Sequence, residues 1–393
     1  DPELNEAGVY ARTFTVPPDW STKRVTLVLE GVKAGASVVL NGRRVGYTQG
    51  SFLPAEFDVT EHLVDGENRL TVVVLRYAAS SYLDGQDMWY LSGIFRPVYL
   101  RAEPKLAVRD VWARAQLGST YTDGTLTTQL SVVNHADVEA SAEVEVVLTE
   151  PGSGASRSVG PDTVTLGPGQ ESAVVLSTHM AQVSAWTAET PHLYGVTVLL
   201  RRDGTLVQAL ALRIGFRTVQ IRDERLLVNG QPITLLGVNR HDFDPDHAWA
   251  VPTERYREDL LLAKSLNINA VRTSHYPNPQ VFYDLCDELG LYVMDECDLE
   301  SHGVRRKNVP GDNPLWVGNC VDRMERMVLA DRNHPSIIMW SLGNEAGEGG
   351  REGGAFVQMK RAARHLDDTR PFHYEGDHDP AISDVVSRMY ATA

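Results

Sequence analysis

Ile337-Ile338-Met339-Trp340-Ser341-Leu342 is an apolar run of strand length, and Gly343-Asn344-Glu345 ends it in polar, ionisable groups. The same unit recurs on either side. Short strand-like runs are expected at 235–239, 270–274, 292–295, 373–375 and 385–390, with helical patterns between them. One helix is expected after Asn278, which can cap it, with Pro279 in its first turn and Gly290 at its end. Within it Phe282, Leu285, Cys286 and Leu289 fall on one face, and Phe356, Met359, Ala363 and Leu366 mark another helix. Repeated β-α units imply a parallel sheet. No Gly-rich phosphate loop follows the first strand, so a (β/α)8 TIM barrel is preferred to a doubly wound dinucleotide fold. Six strands of a possible eight are counted over 221–393, so the barrel is expected to be incomplete at its C-terminus.

Upstream the pattern is all β. Residues 1–102 carry β-branched runs such as Arg24-Val25-Thr26-Leu27-Val28-Leu29 and Leu70-Thr71-Val72-Val73-Val74-Leu75, with Asn41-Gly42 and Asp65-Gly66 as turns. Residues 103–220 continue in this style, with Glu143-Val144-Glu145-Val146-Val147-Leu148 alternating like a half-buried strand. The first stretch reads as a β-sandwich and the second as a sandwich of immunoglobulin-like size. The fold class is thus multidomain β plus α/β.

The 393 residues carry 37 Lys plus Arg against 52 Asp plus Glu, a net charge of -15. Such a surface repels phosphate backbones and anionic headgroups, which disfavours nucleic-acid and membrane partners. No apolar run is long enough to span a bilayer. Cys286, Cys297 and Cys320 fit neither a disulfide framework nor a zinc site, so buried free thiols and a reducing, cytoplasmic setting are expected. The chain opens at Asp1 without an initiator Met, a start that looks cut.

In a β/α barrel, catalytic groups sit at the C-terminal ends of the strands. Here those ends read Asn239-Arg240-His241-Asp242, Arg272-Thr273-Ser274-His275-Tyr276, Asp295 to His302, and Gly343-Asn344-Glu345. Four polar ends in succession point to an enzyme. Glu345, carried to the rim and partly desolvated, suits a general acid, and Asn344 can donate to a sugar hydroxyl; the pair would equally suit a turn or a helix start. Glu300 and His302, two apart, share one face of an extended segment, either as ligands of Mg²⁺ or as a metal-free hydrogen-bonded pair. His241 and His275 end adjacent strands and could grip hydroxyls or serve as core histidines. Asp87, in Gln86-Asp87-Met88-Trp89-Tyr90 of the first sandwich, suits sugar binding or a tight turn.

These segments resemble glycoside hydrolase family 2, and within it the large bacterial β-galactosidase type. The matching strings are Gln86-Asp87-Met88-Trp89, Ser92-Gly93-Ile94-Phe95-Arg96, Gly237-Val238-Asn239-Arg240-His241 and Asn269-Ala270-Val271-Arg272. They continue with Ser274-His275-Tyr276-Pro277-Asn278, Glu300-Ser301-His302-Gly303, Arg332-Asn333-His334-Pro335-Ser336, Trp340-Ser341-Leu342-Gly343-Asn344-Glu345, Tyr374-Glu375-Gly376 and Met389-Tyr390-Ala391. The resemblance implies a jelly-roll sugar-binding domain, an immunoglobulin-like domain and a TIM barrel. It also implies hydrolysis of terminal β-D-galactosides such as lactose, with retention, by a homo-oligomer. By resemblance Glu345 is the acid/base and, with Glu300 and His302, a magnesium ligand. Asn344, His275 and His241 contact the sugar, Asp87 reaches the sugar and a sodium ion, and Tyr390 stands beside the nucleophile.

Three departures accompany the match. The family's nucleophilic glutamate is expected beyond the end of the chain, so the isolated 393 residues are expected to be inactive. Asp244 stands where the family often has a second histidine. An asparagine expected before the jelly roll is absent. The rival readings are a family 2 β-glucuronidase and a non-catalytic carbohydrate-binding fragment.

Overall fold

A computed structural model of the chain describes residues 5–304, 307–347, 354–377 and 379–390; Asp1, Ala391 and Ala393 lie outside them. The first sandwich packs a four-stranded sheet, ordered Ala7–Phe14, Asn68–Leu75, Gly35–Leu40 and Arg43–Gln49, on a three-stranded sheet of Ala55–Asp58, Arg24–Leu29 and Val98–Glu103. Inward-facing Val38, Leu40, Val72 and Val74 of one sheet meet Val25, Leu27 and Leu29 of the other. Asn41 and Gly42 both take positive φ (53° and 77°), as a two-residue hairpin requires between two right-twisted strands.

The second sandwich pairs a three-stranded sheet of Leu106–Leu117, Gly124–Asn134 and Glu171–Met180 with a four-stranded sheet of Ser156–Leu166, Ala140–Thr149, Tyr194–Arg202 and Thr205–Ile214. The alternation read at 143–148 is real: Val144, Val146 and Leu148 are buried while Glu143 is exposed. Seven strands in two antiparallel sheets is the immunoglobulin-type arrangement.

Among the described residues the barrel sheet has five parallel strands in chain order: β1 (Gly237–Arg240), β2 (Ala270–Thr273), β3 (Tyr292–Glu296), β4 (Ile337–Asn344) and β5 (Phe372–Glu375). Helices α1 (Thr253–Ser265), α2 (Gln280–Leu289), α3 (Pro314–Asp331) and α4 (Ala355–Leu366) connect them. Every residue of β4 is buried, as a central parallel strand covered on both faces should be. Phe282, Leu285 and Cys286 of α2 and Phe356, Met359 and Ala363 of α4 enter one core with Trp340 and Leu342. Beneath the strands a small antiparallel ribbon, Val219–Arg222 with Arg225–Val228, closes the floor: its Val219 and Val228 pack on Ala270, Tyr292 and Ile338.

Two expectations are corrected here. The strand expected at 385–390 does not form, and Val386 and Tyr390 are 80% and 92% exposed. Asp384 instead bonds the backbone N–H of Phe372 at 2.8 Å and the cations of Lys360 and Arg364 at 2.8 and 2.9 Å, which ties this segment to α4. Asn278 does not cap α2; Pro279 occupies the cap position, and the Asn278 Oδ1 accepts from Arg240 at 3.1 Å. Gly290 ends the helix in the left-handed conformation, as expected. All three cysteines are free and buried. No helix among the described residues is long and apolar enough to cross a membrane.

Candidate active site

The C-terminal ends of β2, β3 and β4 converge on one polar cluster. At the end of β4 the chain must turn sharply. Gly343 sits at φ +139°, and a Cβ there would lie 2.4 Å from the Leu299 carbonyl, so only glycine fits. Asn344 and Glu345 follow at the rim, Glu345 itself at φ +40°, a sparsely populated region for a non-glycine residue. The Glu345 N–H donates to the Glu375 carbonyl at 2.9 Å, which fixes the turn against β5.

Asn344 is held from both ends. Its Oδ1 accepts from Arg272 Nη2 at 3.0 Å and its Nδ2 donates to Glu300 Oε2 at 3.2 Å. Arg272 also donates through Nε to Glu296 Oε2 at 2.7 Å. Glu296 is wholly buried and accepts two further bonds, from His275 Nδ1 at 2.6 Å and Ser341 Oγ at 2.6 Å. Burial alone would raise its pKa, but Arg272 and His275 hold the carboxyl well below the usual range. Glu296 is therefore ionised and can only accept, so His275 carries its proton on Nδ1 and presents Nε2 as its remaining hydrogen-bonding atom. The Ser341 hydroxyl spends its proton on Glu296, so His373 Nδ1, 2.9 Å away, must donate to Ser341. Burial drives the His373 pKa down to about 4 and keeps the ring neutral.

Glu300, His302 and Glu345 offer ligand atoms that all lie within 4.8 Å of one another. His302 Nδ1 is hydrogen-bonded to Glu345 Oε2. Burial raises the pKa of Glu300, opposed by nearby His275 and the Asn344 amide. Two carboxylates and one imidazole, with Glu300 buried and His302 and Glu345 half-buried, fit a hard divalent cation that keeps some of its waters, with the imidazole as the softer member.

The other expected residues fall differently. His241 lies beside His275, ring centroids 5.5 Å apart and nearly perpendicular, and its Nδ1 is 3.4 Å from the Tyr276 hydroxyl. Burial and then His275 lower its pKa. Asp87 is exposed on a loop of the first sandwich that does reach the rim: neighbouring Gln86 donates to Asp298 at 3.0 Å, and Trp89 packs edge-on against Phe243 at 4.7 Å. Asp87 belongs to neither of the groups of three or more metal-ligating side chains found among the described residues. Tyr390 is exposed and makes no side-chain hydrogen bond among the described residues. Asp244 is a loop staple: its carboxylate accepts from the amides of Asp246 and His247 at 2.9 and 3.0 Å, and from Arg255 Nε at 2.9 Å.

Arg272, Glu296, Ser341 and His373 were not singled out from sequence. The available signal was the adjacent acid pair Asp295-Glu296 ending an apolar strand, since a buried carboxylate needs cationic or hydroxyl partners on neighbouring strands.

Comparison with known proteins identifies the three regions of the chain. Residues 1–104 match "Glycosyl hydrolases family 2, sugar binding domain", residues 106–217 match "Glycosyl hydrolases family 2", and residues 219–393 match "Glycosyl hydrolases family 2, TIM barrel domain". A β-galactosidase of Priestia megaterium is 40% identical over 99% of this chain, and one of Pseudoalteromonas haloplanktis is 40% identical over 99%. The chain spans 38% and 37% of the length of these two relatives. Among solved structures, a β-glucuronidase of Bacteroides uniformis superposes with a TM-score of 0.83 at 26% identity, covering 94% of this chain and 46% of that one. A β-glycosidase from Bacteroides vulgatus gives 0.78 at 26% identity, with the same coverages of 94% and 46%.

Proposed function

Given that the chain belongs to glycosyl hydrolase family 2, we propose that its protein is a β-galactosidase that hydrolyses terminal, non-reducing β-D-galactosides such as lactose with retention of configuration. The observation that carries the reading is the placement of Glu345 at the rim of β4, beside Asn344 and within one cluster with Glu300, His302 and the Glu296–His275 pair. The named relatives at 40% identity support galactose as the sugar.

In this reading Glu345 protonates the glycosidic oxygen and then takes a proton from the attacking water. Asn344 Nδ2 and His275 Nε2 hold sugar hydroxyls, with His241 and Asp87 at the edge of the pocket. Glu296 and Arg272 act through His275 and Asn344, fixing one tautomer and one amide orientation. Glu300, His302 and Glu345 would hold magnesium, which when bound supplies positive charge beside the acid/base.

A retaining enzyme needs a second carboxylate about 5–5.5 Å from the first. Glu296 is wholly buried and bonded three times over, and Glu300 is bonded to Asn344 within the cation-binding group, so neither suits attack on a sugar. By the family resemblance the nucleophile is read as a glutamate from sequence following Tyr390, with that tyrosine beside it. Three buried free thiols support a reducing, cytoplasmic setting, and homo-oligomeric assembly rests on the family resemblance.

The glucuronidase reading is favoured by the structural likeness alone. A uronate needs a cationic grip, and Arg272 already donates to Glu296 and Asn344. The test is turnover of nitrophenyl β-galactoside against β-glucuronide by the protein at the length of its relatives, with the first-formed anomer read by proton magnetic resonance. Galactoside cleavage to the β-anomer is expected. Preference for the glucuronide, first release of the α-anomer, or binding without turnover would each overturn the proposal.

A further inference from the structure

Glu300 does not receive its backbone support from the barrel alone. Its N–H donates to the Leu83 carbonyl at 2.8 Å, and its carbonyl accepts from the Gly85 N–H at 2.7 Å. Both partners belong to the first sandwich. Residues 84, 300 and 344 thereby form successive parallel bridges, Asp84 to Glu300 and Glu300 to Asn344, a short three-strand ladder running across the domain boundary.

The loop that supplies this ladder is itself anchored in a buried ionic cluster. Asp84 accepts from Ser51 Oγ at 2.7 Å and pairs with Arg323 of α3 at 2.5 Å. Arg323 also pairs with Asp298 at 3.1 Å, and Asp298 accepts from Gln86. Asp84, Asp298 and Arg323 are all 1% exposed or less. The approach of the loop to Glu300 is tight: a Cβ on Gly85 would lie 3.1 Å from the Glu300 carbonyl oxygen.

We propose that residues 83–85 of the first sandwich are a positioning clamp for Glu300, so that divalent-cation binding at Glu300, His302 and Glu345 is coupled to docking of that sandwich on the barrel. The clamp rests on the cation reading given above. A ligand whose N–H and C=O are both held by another domain keeps its carboxylate in register only while that domain is seated. Linkage makes the effect reciprocal: a bound cation must tighten the seating by the same factor that the seating tightens the cation.

Manganese(II) is the probe, with free ion measured by paramagnetic resonance and backbone exchange by deuterium labelling. Gly85→Pro removes the N–H donor, and Gly85→Ala keeps it. Gly85→Pro is expected to weaken manganese binding at least tenfold and to speed exchange over 297–302, while Gly85→Ala, which keeps the donor but crowds the Glu300 carbonyl, falls between it and the unaltered protein. In the unaltered protein, manganese is expected to slow exchange over 83–86. Ser51→Ala, which loosens the loop without touching its backbone, should weaken binding by an intermediate factor and serves if Gly85→Pro does not fold. Unchanged affinity in the loosened variants, or exchange at 83–86 indifferent to bound manganese, overturns the clamp while leaving the cation site intact. If the unaltered protein binds no manganese, or Glu300→Gln binds it equally well, the cation reading itself falls and the clamp with it.

Discussion

Replacing His373 by glutamine should remove a specific acid sensitivity from the barrel. His373 is nearly sealed in β5, donates to Ser341 and has its pKa driven by burial from 6.5 to about 4. The depressed value means that the unfolded chain binds a proton which the folded one refuses between those two pH values. Stability is therefore full above pH 6.5 and falls as pH drops toward 4. A shift of this size corresponds to roughly 3 kcal/mol at pH 4. The glutamine amide can still donate to Ser341 but does not titrate. Urea unfolding at pH 7, 5.5 and 4, read by deuterium labelling of peptides spanning β4 and β5, isolates the barrel's own transition in a chain with several domains. Taking the difference between the two proteins cancels the titrating groups that do not interact with His373. The parent should lose about 3 kcal/mol more than His373→Gln between pH 7 and pH 4. Parallel curves would show that His373 takes up its proton as readily in the folded state as in the unfolded one, so that burial does not exclude the charge.

Glu296→Gln should raise KM for a galactoside roughly 10–100-fold, because it removes the acceptor that fixes His275 and Arg272; steady-state kinetics with unchanged KM would refute that role. Chelation should lower turnover, and added magnesium should restore it; indifference would leave His302 and Glu345 as a metal-free pair. Leu342→Ala, in the wholly buried β4, should cost about 2–5 kcal/mol in urea unfolding of the barrel, and a loss under 1 kcal/mol would mean the strand is less tightly packed than its burial implies.

The sequence made the strand ends legible because an apolar run that stops at charged residues has few folded solutions. β2, β3, β4 and β5 each formed within two residues of the expected ends, as 270–274, 292–295, 337–342 and 373–375 anticipate. What was not legible depends on cross-strand register. Glu296 matters because Arg272, His275 and Ser341 lie on the two flanking strands, a relation that no spacing along the chain encodes. The clamp on Glu300 is further removed, since its partners are 215 or more positions away in another domain. The strand expected at 385–390 failed for a local reason: Asp384, immediately before it, bonds α4 and the start of β5. Asn278 was misassigned as a cap because a side-chain amide before proline suits that position equally well when its actual partner, Arg240, is 38 residues distant.

The central claim is that Glu345 donates the proton to the leaving group. Glu345→Ala in the protein at the length of its relatives, assayed on dinitrophenyl β-galactoside and on lactose, separates this role from a structural one. The dinitrophenolate departs without protonation, so its release should survive far better than lactose cleavage, by a ratio of about 10²–10⁴. Equal loss on both substrates would contradict the assignment and return Glu345 to the status of a charged turn residue.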